Sequence, residues 1–188
     1  MAEAGGVIYD LGTHLIDQAF VLFGMPKTVN ATFSNQRNDG ASEPDSITVL
    51  LGYGSGGPLV TAKAGVMCVE TEQLRYWVRG TKGSFKKFHL DVQEDQLKAG
   101  LKPGDKGFGL ENEENSGKLV VLDGDKPKSS VFKNDEPKTY ATLYEGFAKA
   151  VGGGGESAVP VKAQDARDVL RIIEAAIDSS RSGKTIVL

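Results

Sequence analysis

The chain has an ordinary globular composition, with 188 residues and a formal net charge of -3. Its length is typical of one domain, and so small a net charge gives no reason to expect a nucleic acid or an anionic membrane as a partner. No apolar run approaches the roughly 20 residues of a membrane-spanning helix, and residues 1–6 lack the features of a signal peptide. We therefore expect one cytoplasmic domain, residues 1–188, with neither kind of partner.

Cys68 is the only cysteine, so no internal disulfide can form. It lies in the apolar run LVTAKAGVMCVE, which predicts a packed strand cysteine. A nucleophilic role is the alternative.

Short segments rich in Val, Thr, Ile and aromatic residues predict consecutive antiparallel strands, because Gly, Pro, Asn and Asp clusters separate them. They are KTVNATFSN, DSITVLLGY, PLVTAKAGVMCVE, QLRYWVRG, SFKKFHL, KLVVLD and KSSVFKN, the last two forming a hairpin around Gly124 and Asp125. Between them, the acidic excursion of residues 91–115 contains a short helical segment at residues 93–99.

Helical spacing of apolar residues predicts three longer helices. The first spans residues 12–23 and ends at Gly24. The second begins after Thr139, a candidate cap, and carries the apolar stripe Tyr140, Leu143, Tyr144, Phe147, Ala148 and Val151. The third begins after Pro160, ends before Gly183, and carries Ala163, Ala166, Leu170, Ile173 and Ile177 on one face.

These elements predict an α+β fold, in which helices pack on one face of a mainly antiparallel, open-faced sheet of about six or more strands. The other face of that sheet then needs a partner.

The stretch GGVIYDLGTHLID contains the residues best suited to chemistry. On a helix, Asp10, His14 and Asp17 project to one side, opposite the apolar stripe. A carboxylate beside an imidazole orients the ring for general acid/base catalysis near neutral pH. A merely solvated helix face is the alternative, and a divalent metal site is a third interpretation, although the only other histidine is the distant His89.

No glycine-rich loop with dinucleotide spacing occurs in the chain. Basic residues gather at Arg75, Arg79, Lys82, Lys86 and Lys87, and they either attract a phosphate or form a solvated strand face.

The stretch GGVIYDLGTHLIDQAFVLFG resembles the opening of the second domain of Gfo/Idh/MocA oxidoreductases, where Gly-Gly-Gly precedes Asp-x-Gly-x-His-x-x-Asp. Gly5, Gly6, Asp10, Gly12, His14 and Asp17 are in register, and Val7 replaces the usual third glycine. The similarity continues through RGTKGSF, DVQEDQLKAGLKPGDKGFG and the final SGKTIVL, over nearly the whole chain.

The resemblance implies a C-terminal substrate-binding and dimerisation domain, preceded in the family by a Rossmann domain that binds NAD or NADP and supplies a lysine. It implies that His14 exchanges a proton with a sugar, polyol or related substrate, that Asp10 holds the substrate and tunes His14, and that Asp17 is structural. No cofactor or metal is expected to bind mainly to this chain, which alone should be inactive. A homo-oligomer is expected through the open sheet face. The alternatives are a non-catalytic regulator resembling the fungal galactose repressors, and a pure assembly module.

Overall fold

A computed structural model describes residues 5–135 and 137–188. The chain packs as two compact units, each of which is described by itself. Unit 1 contains the described residues of Met1–Val69 together with Val161–Leu188, and unit 2 contains those of Glu70–Pro160. Each unit has one antiparallel sheet of four strands. The predicted α+β class is confirmed, while the strands form two sheets in place of the single sheet that was expected.

The helices are α1 (Thr13–Phe23), α2 (Gln93–Lys98), α3 (Tyr140–Lys149) and α4 (Ala163–Ser182). The strands are β1 (Thr28–Ser34), β2 (Ser46–Gly52), β3 (Leu59–Gly65), β4 (Leu74–Arg79), β5 (Gly83–Phe88), β6 (Gly117–Asp123), β7 (Lys126–Phe132) and β8 (Ile186–Val187). All the predicted strands are present, and β8 is an addition that the sequence pattern did not indicate. Over the described residues, no helix combines the length and the apolarity that crossing a bilayer requires.

The sheet of unit 1 has the strand order β3-β2-β1-β8 and contributes one face to the hydrophobic core. Since alternate residues of a strand point to the same face, the paired residues Val29 and Leu51, and Ala31 and Val49, are buried together. Helices α1 and α4 pack beside each other against this sheet. The core cluster lies within unit 1, where it supports the segment that carries Asp10 and His14.

The buried face of α4 differs from the predicted one. Val169, Ile172, Ile173, Ala175 and Ala176 are buried, whereas Ala163 and Ala166 are not, and Leu170 is 49% exposed. Of the predicted set, Ile173 is fully buried and Ile177 is partly buried. The helix contacts both β1 and α1, so its apolar arc is wider than one stripe and is rotated from the predicted position.

The predicted packed position of Cys68 is wrong, because the side chain is exposed and lies beyond the end of β3 at Gly65. The apolar run was longer than the strand, and Val66, Met67 and Val69 are exposed as well.

The sheet of unit 2 has the order β4-β5-β6-β7. The rings of Phe85 and Phe132 meet edge to face with centroids 5.8 Å apart. A Cβ atom at Gly117 would lie 2.3 Å from Cε2 of Phe85, so the close approach of this ring requires glycine there.

Thr139 occupies the N-cap position of α3, but its side chain makes no capping hydrogen bond. The side-chain carbonyl of Gln93 accepts the backbone N–H of Tyr140 instead, at 3.3 Å. Since Gln93 is buried, the start of α3 is fastened to α2 by a side chain distant in sequence.

Candidate active site

A π-turn, Ile8–Gly12, leads directly into α1 and carries Asp10. Gly12 is buried where a Cβ atom would lie 2.8 Å from Cδ1 of Ile8 and 3.1 Å from Cδ1 of Ile47, so the turn packs closely on β2. The hydroxyl of Thr13 lies 2.7 Å from the carbonyl oxygen of Asp10 and 3.0 Å from that of Tyr9, both of which can accept its hydrogen bond. Such π-turns are frequent at functional sites.

Asp10, His14 and Asp17 are all exposed, while Ile16 and Ala19 on the opposite side of α1 are buried. The structure therefore presents the three predicted polar residues on the outward side of one continuous helical segment. In the part of the chain that the structure describes, no hydrogen bond or ion pair joins the Asp10 carboxylate to the His14 imidazole. Among residues 5–135 and 137–188, the polar atoms of both side chains are thus without a hydrogen-bond or ion-pair partner.

A metal site finds no support in the geometry. Across residues 5–135 and 137–188, no three His, Cys, Asp or Glu side chains are grouped so as to hold a metal ion. His89 lies in unit 2, where its Nε2 is 3.9 Å from a carboxylate oxygen of Glu72.

A cleft of about 540 Å³ in unit 1 was not predicted from the sequence. The residues that line it are Gly5, Ile8, Tyr9, Phe33, Ser42, Glu43, Pro44, Glu174, Ile177, Asp178, Ser180 and Arg181. Asp10 and His14 do not line this cleft, although Tyr9 does. Its walls come from three distant parts of the sequence, and no local pattern connects them.

A second cleft, of about 610 Å³, lies within unit 2 between the sheet and the excursion that follows β5. Lys87 lines it and donates to Oε2 of Glu111 at 2.7 Å and to the carbonyl of Asn115 at 2.9 Å. Glu111 also accepts a hydrogen bond from the side-chain amide of Asn134. These contacts tie the excursion to β5 and to the chain after β7.

Three residues of the predicted basic cluster make contacts within unit 2. Cζ of Arg79 and Nζ of Lys86 lie 4.9 Å and 4.7 Å from the centre of the Trp77 ring, distances typical of cation–π contacts. Lys87 is paired with Glu111. A strand face therefore accounts for these three residues better than a phosphate site.

A dinucleotide is usually held by a parallel βαβ unit, whose glycine-rich turn meets the pyrophosphate at a helix N-terminus. Every strand pairing in the described residues is antiparallel. The described residues thus contain no parallel βαβ unit of this kind.

Residues 2–188 match the family described as "Oxidoreductase family, C-terminal alpha/beta domain", the Gfo/Idh/MocA family. The chain belongs to this family. Its similarity to the Gfo/Idh/MocA proteins, first apparent around Asp10 and His14, is confirmed over nearly the whole length.

Two curated relatives show how much of such a protein the chain represents. It is 39% identical to the scyllo-inositol 2-dehydrogenase (NADP(+)) IolW of Bacillus subtilis over 98% of this chain and 50% of the relative. It is 36% identical to an uncharacterized oxidoreductase of Schizosaccharomyces pombe over 97% of this chain and 52% of the relative. The chain thus spans about half the length of the curated relatives it matches.

Solved structures agree with this assignment. The oxidoreductase yvaA of Bacillus subtilis superimposes with a TM-score of 0.90 at 36% identity, covering 100% of this chain and 52% of that one. An oxidoreductase of Yersinia pestis superimposes with a TM-score of 0.88 at 32% identity, covering 100% and 51%. The fold of the chain is therefore that of a C-terminal domain of this oxidoreductase family.

Proposed function

We propose that this chain is the substrate-binding and dimerisation domain of an NAD(P)-dependent oxidoreductase that acts on the CH–OH group of a sugar, a polyol or a related small carbonyl compound. In this proposal both compact units belong to that one domain, and the protein works in the cytoplasm. The observation that carries it is the outward face of the π-turn and α1, on which Asp10 and His14 are exposed and joined to no partner among the described residues. A general acid/base pair needs a substrate opposite it, and this face leaves room for one.

His14 is the proposed proton acceptor in oxidation, removing the proton of the substrate hydroxyl, and the proton donor in reduction. Asp10 is proposed to bind the substrate hydroxyl from the same exposed helical face as His14. The nicotinamide, held mainly by an N-terminal half of the complete protein, supplies the chemistry of hydride exchange with the carbinol carbon.

Asp17 is assigned a structural role in the same helix. It is exposed one turn beyond His14, and we expect it to fasten α1 to neighbouring backbone.

A polyol substrate is favoured because the Bacillus subtilis relative is named a scyllo-inositol dehydrogenase. Acid/base chemistry at a ring hydroxyl needs no feature beyond Asp10 and His14 from this domain. The choice between NAD and NADP belongs to the half that holds the cofactor.

The test is a two-domain chimera, in which this chain follows the N-terminal half of the Bacillus subtilis relative, assayed with NADP(+) and scyllo-inositol. His14→Ala should lower kcat by about a hundredfold or more, since positioned acid/base groups contribute roughly 10²–10⁴ in rate, with little change in the KM for the cofactor. His89→Asn is the matched control, because it removes the only other histidine while tolerating the positive φ of 65° at that position.

Undiminished turnover in the His14→Ala chimera would refute the proposed role. A chimera that binds NADPH but turns over no sugar or polyol would favour the non-catalytic regulator. The separate 188-residue chain should bind neither nucleotide tightly and should show no turnover.

A further inference from the structure

Helix α3 carries the most continuous exposed apolar stripe on one helix of unit 2. The exposed fractions along it are 61% for Tyr140, 44% for Leu143, 71% for Tyr144, 62% for Phe147 and 74% for Val151, which follows the helix in the next turn. These residues are spaced as neighbours on one helix face. We call them the α3 stripe.

One flank of α3 approaches the segment that follows the helix. A Cβ atom at Gly146 would lie 2.8 Å from Cγ of Pro160, so the helix backbone approaches the turn after it at that point. Gly146 lies about a third of a helical turn from the centre of the stripe. The helix is thus held at this flank and at its start, where Gln93 accepts from Tyr140, and no residue of α3 is buried.

An amphipathic helix is stabilised in a folded protein by burying its apolar stripe. Exposed apolar patches of this kind mark surfaces that another part of a protein covers. The two tyrosines add a polar tip to an apolar body, a combination enriched at interfaces.

We propose that the nucleotide-binding half of the complete oxidoreductase packs against the α3 stripe; this inference rests on the proposed function. The relatives are about twice as long as this chain, which matches the C-terminal domain of the family, so they contain another polypeptide half of similar size. Glu145 and Lys149, the two charged residues of α3, lie on the side of the helix away from the stripe, so an apolar partner surface is favoured over a strongly charged one.

The experiment compares backbone amide exchange of residues 140–151 in the separate chain and in the two-domain chimera. The separate chain should exchange rapidly in this segment, and the chimera should slow it by about tenfold or more, because amides under a packed interface exchange only through opening. Phe147→Glu should abolish that protection. Thr142→Glu introduces the same charge on the same helix, at an exposed position off the stripe, and should preserve it.

Equal exchange in the separate chain and the chimera would overturn the inference, as would a segment already protected in the separate chain. If Phe147→Glu instead dissociates a dimer of the separate chain, as seen by light scattering, a second copy covers the stripe and the inference is again wrong. Protection of residues 140–151 in a chimera that has no turnover would support packing of the nucleotide-binding half against the α3 stripe while contradicting the proposed function.

Discussion

The hydroxyl of Ser179 in α4 accepts a hydrogen bond from the backbone N–H of Ala31 in β1, at 2.9 Å. The same hydroxyl donates to the carbonyl of Lys184 at 2.6 Å. Strand β8 pairs only with Thr28 and Val29, so β1 continues past its edge partner. Ser179 therefore completes the hydrogen bonding of β1 where β8 is absent, and it fixes α4 to the sheet that supports α1.

Ser179→Ala should destabilise unit 1, because it leaves the Ala31 N–H without this acceptor in a fully buried position. A buried donor left unsatisfied costs about 1–3 kcal/mol. Ser182→Ala, a change of the same size at an exposed serine on the same helix, should cost much less. Urea unfolding measures both, and equal losses would show that the Ser179 bond is not the cause.

The sequence pattern predicted most of the helices and strands but not the hydrogen bonds of Ser179. Helix α1 and the strands of both sheets follow from periodicity and turn residues, whereas β8 has only two residues and is too short to show alternation. In the sequence, Ser179 is typical of the polar face of a helix. It becomes a buried acceptor only because β1, nearly 150 residues away in the chain, packs against it.

The same contrast holds for the site. Asp10 and His14 are close in sequence, so their shared face could be predicted from helical spacing. The cleft of unit 1 could not, because Phe33, Glu43 and Asp178 meet there only after the sheet and α4 have packed.

Ile173→Ala tests the observed face of α4. The Ile173 side chain is fully buried in the core, and such truncations cost about 2–5 kcal/mol. Leu170→Ala, at another residue of the predicted face, should cost less because Leu170 is about half exposed. Similar losses of unfolding free energy for the two variants would show that α4 buries the predicted face and not the observed one.

Asp45 is a buried carboxylate that accepts the backbone N–H of Gln36 at 2.7 Å and the backbone N–H of Arg37 at 2.9 Å. The hydrogen bond from Gln36 and those from Arg37 lower the pKa of Asp45, against the opposing effect of burial. Because the folded pKa lies below the unfolded value of about 3.9, the carboxylate stabilises the fold above that pH. This stabilisation is lost as the pH falls through the folded pKa.

Asp45→Asn should therefore lower the free energy of unfolding at pH 7, and the difference from the wild type should shrink as the pH falls below about 4. Asp39→Asn is the control, since its carboxylate lies 3.4 Å from Nε of Arg37 but is exposed, and exposed ion pairs contribute only about 0–1 kcal/mol. A difference between wild type and Asp45→Asn that is constant with pH would exclude the ionised carboxylate as its source.

The proposed dimer should form through one face of the unit 2 sheet. Trp77 pairs with Lys86, Lys86 with Lys118, and Lys118 with Val131, so these four side chains share a face. Trp77 is 56% exposed, and Phe85 and Lys87 on the other face line the unit 2 cleft under the excursion. The Trp77 face is the one left for a second copy.

Trp77→Glu and Val131→Glu should each convert the dimer to a monomer in light scattering, because burying a carboxylate in an interface costs much hydration free energy even beside a lysine. Leu59→Glu places the same charge on an exposed residue of β3 in unit 1 and should leave the dimer intact. Circular dichroism of the three variants would establish that unit 2 remains folded, since the altered side chains are exposed. A wild-type chain that is already monomeric, or a dimer that persists in both unit 2 variants, would show that this sheet face does not join the subunits.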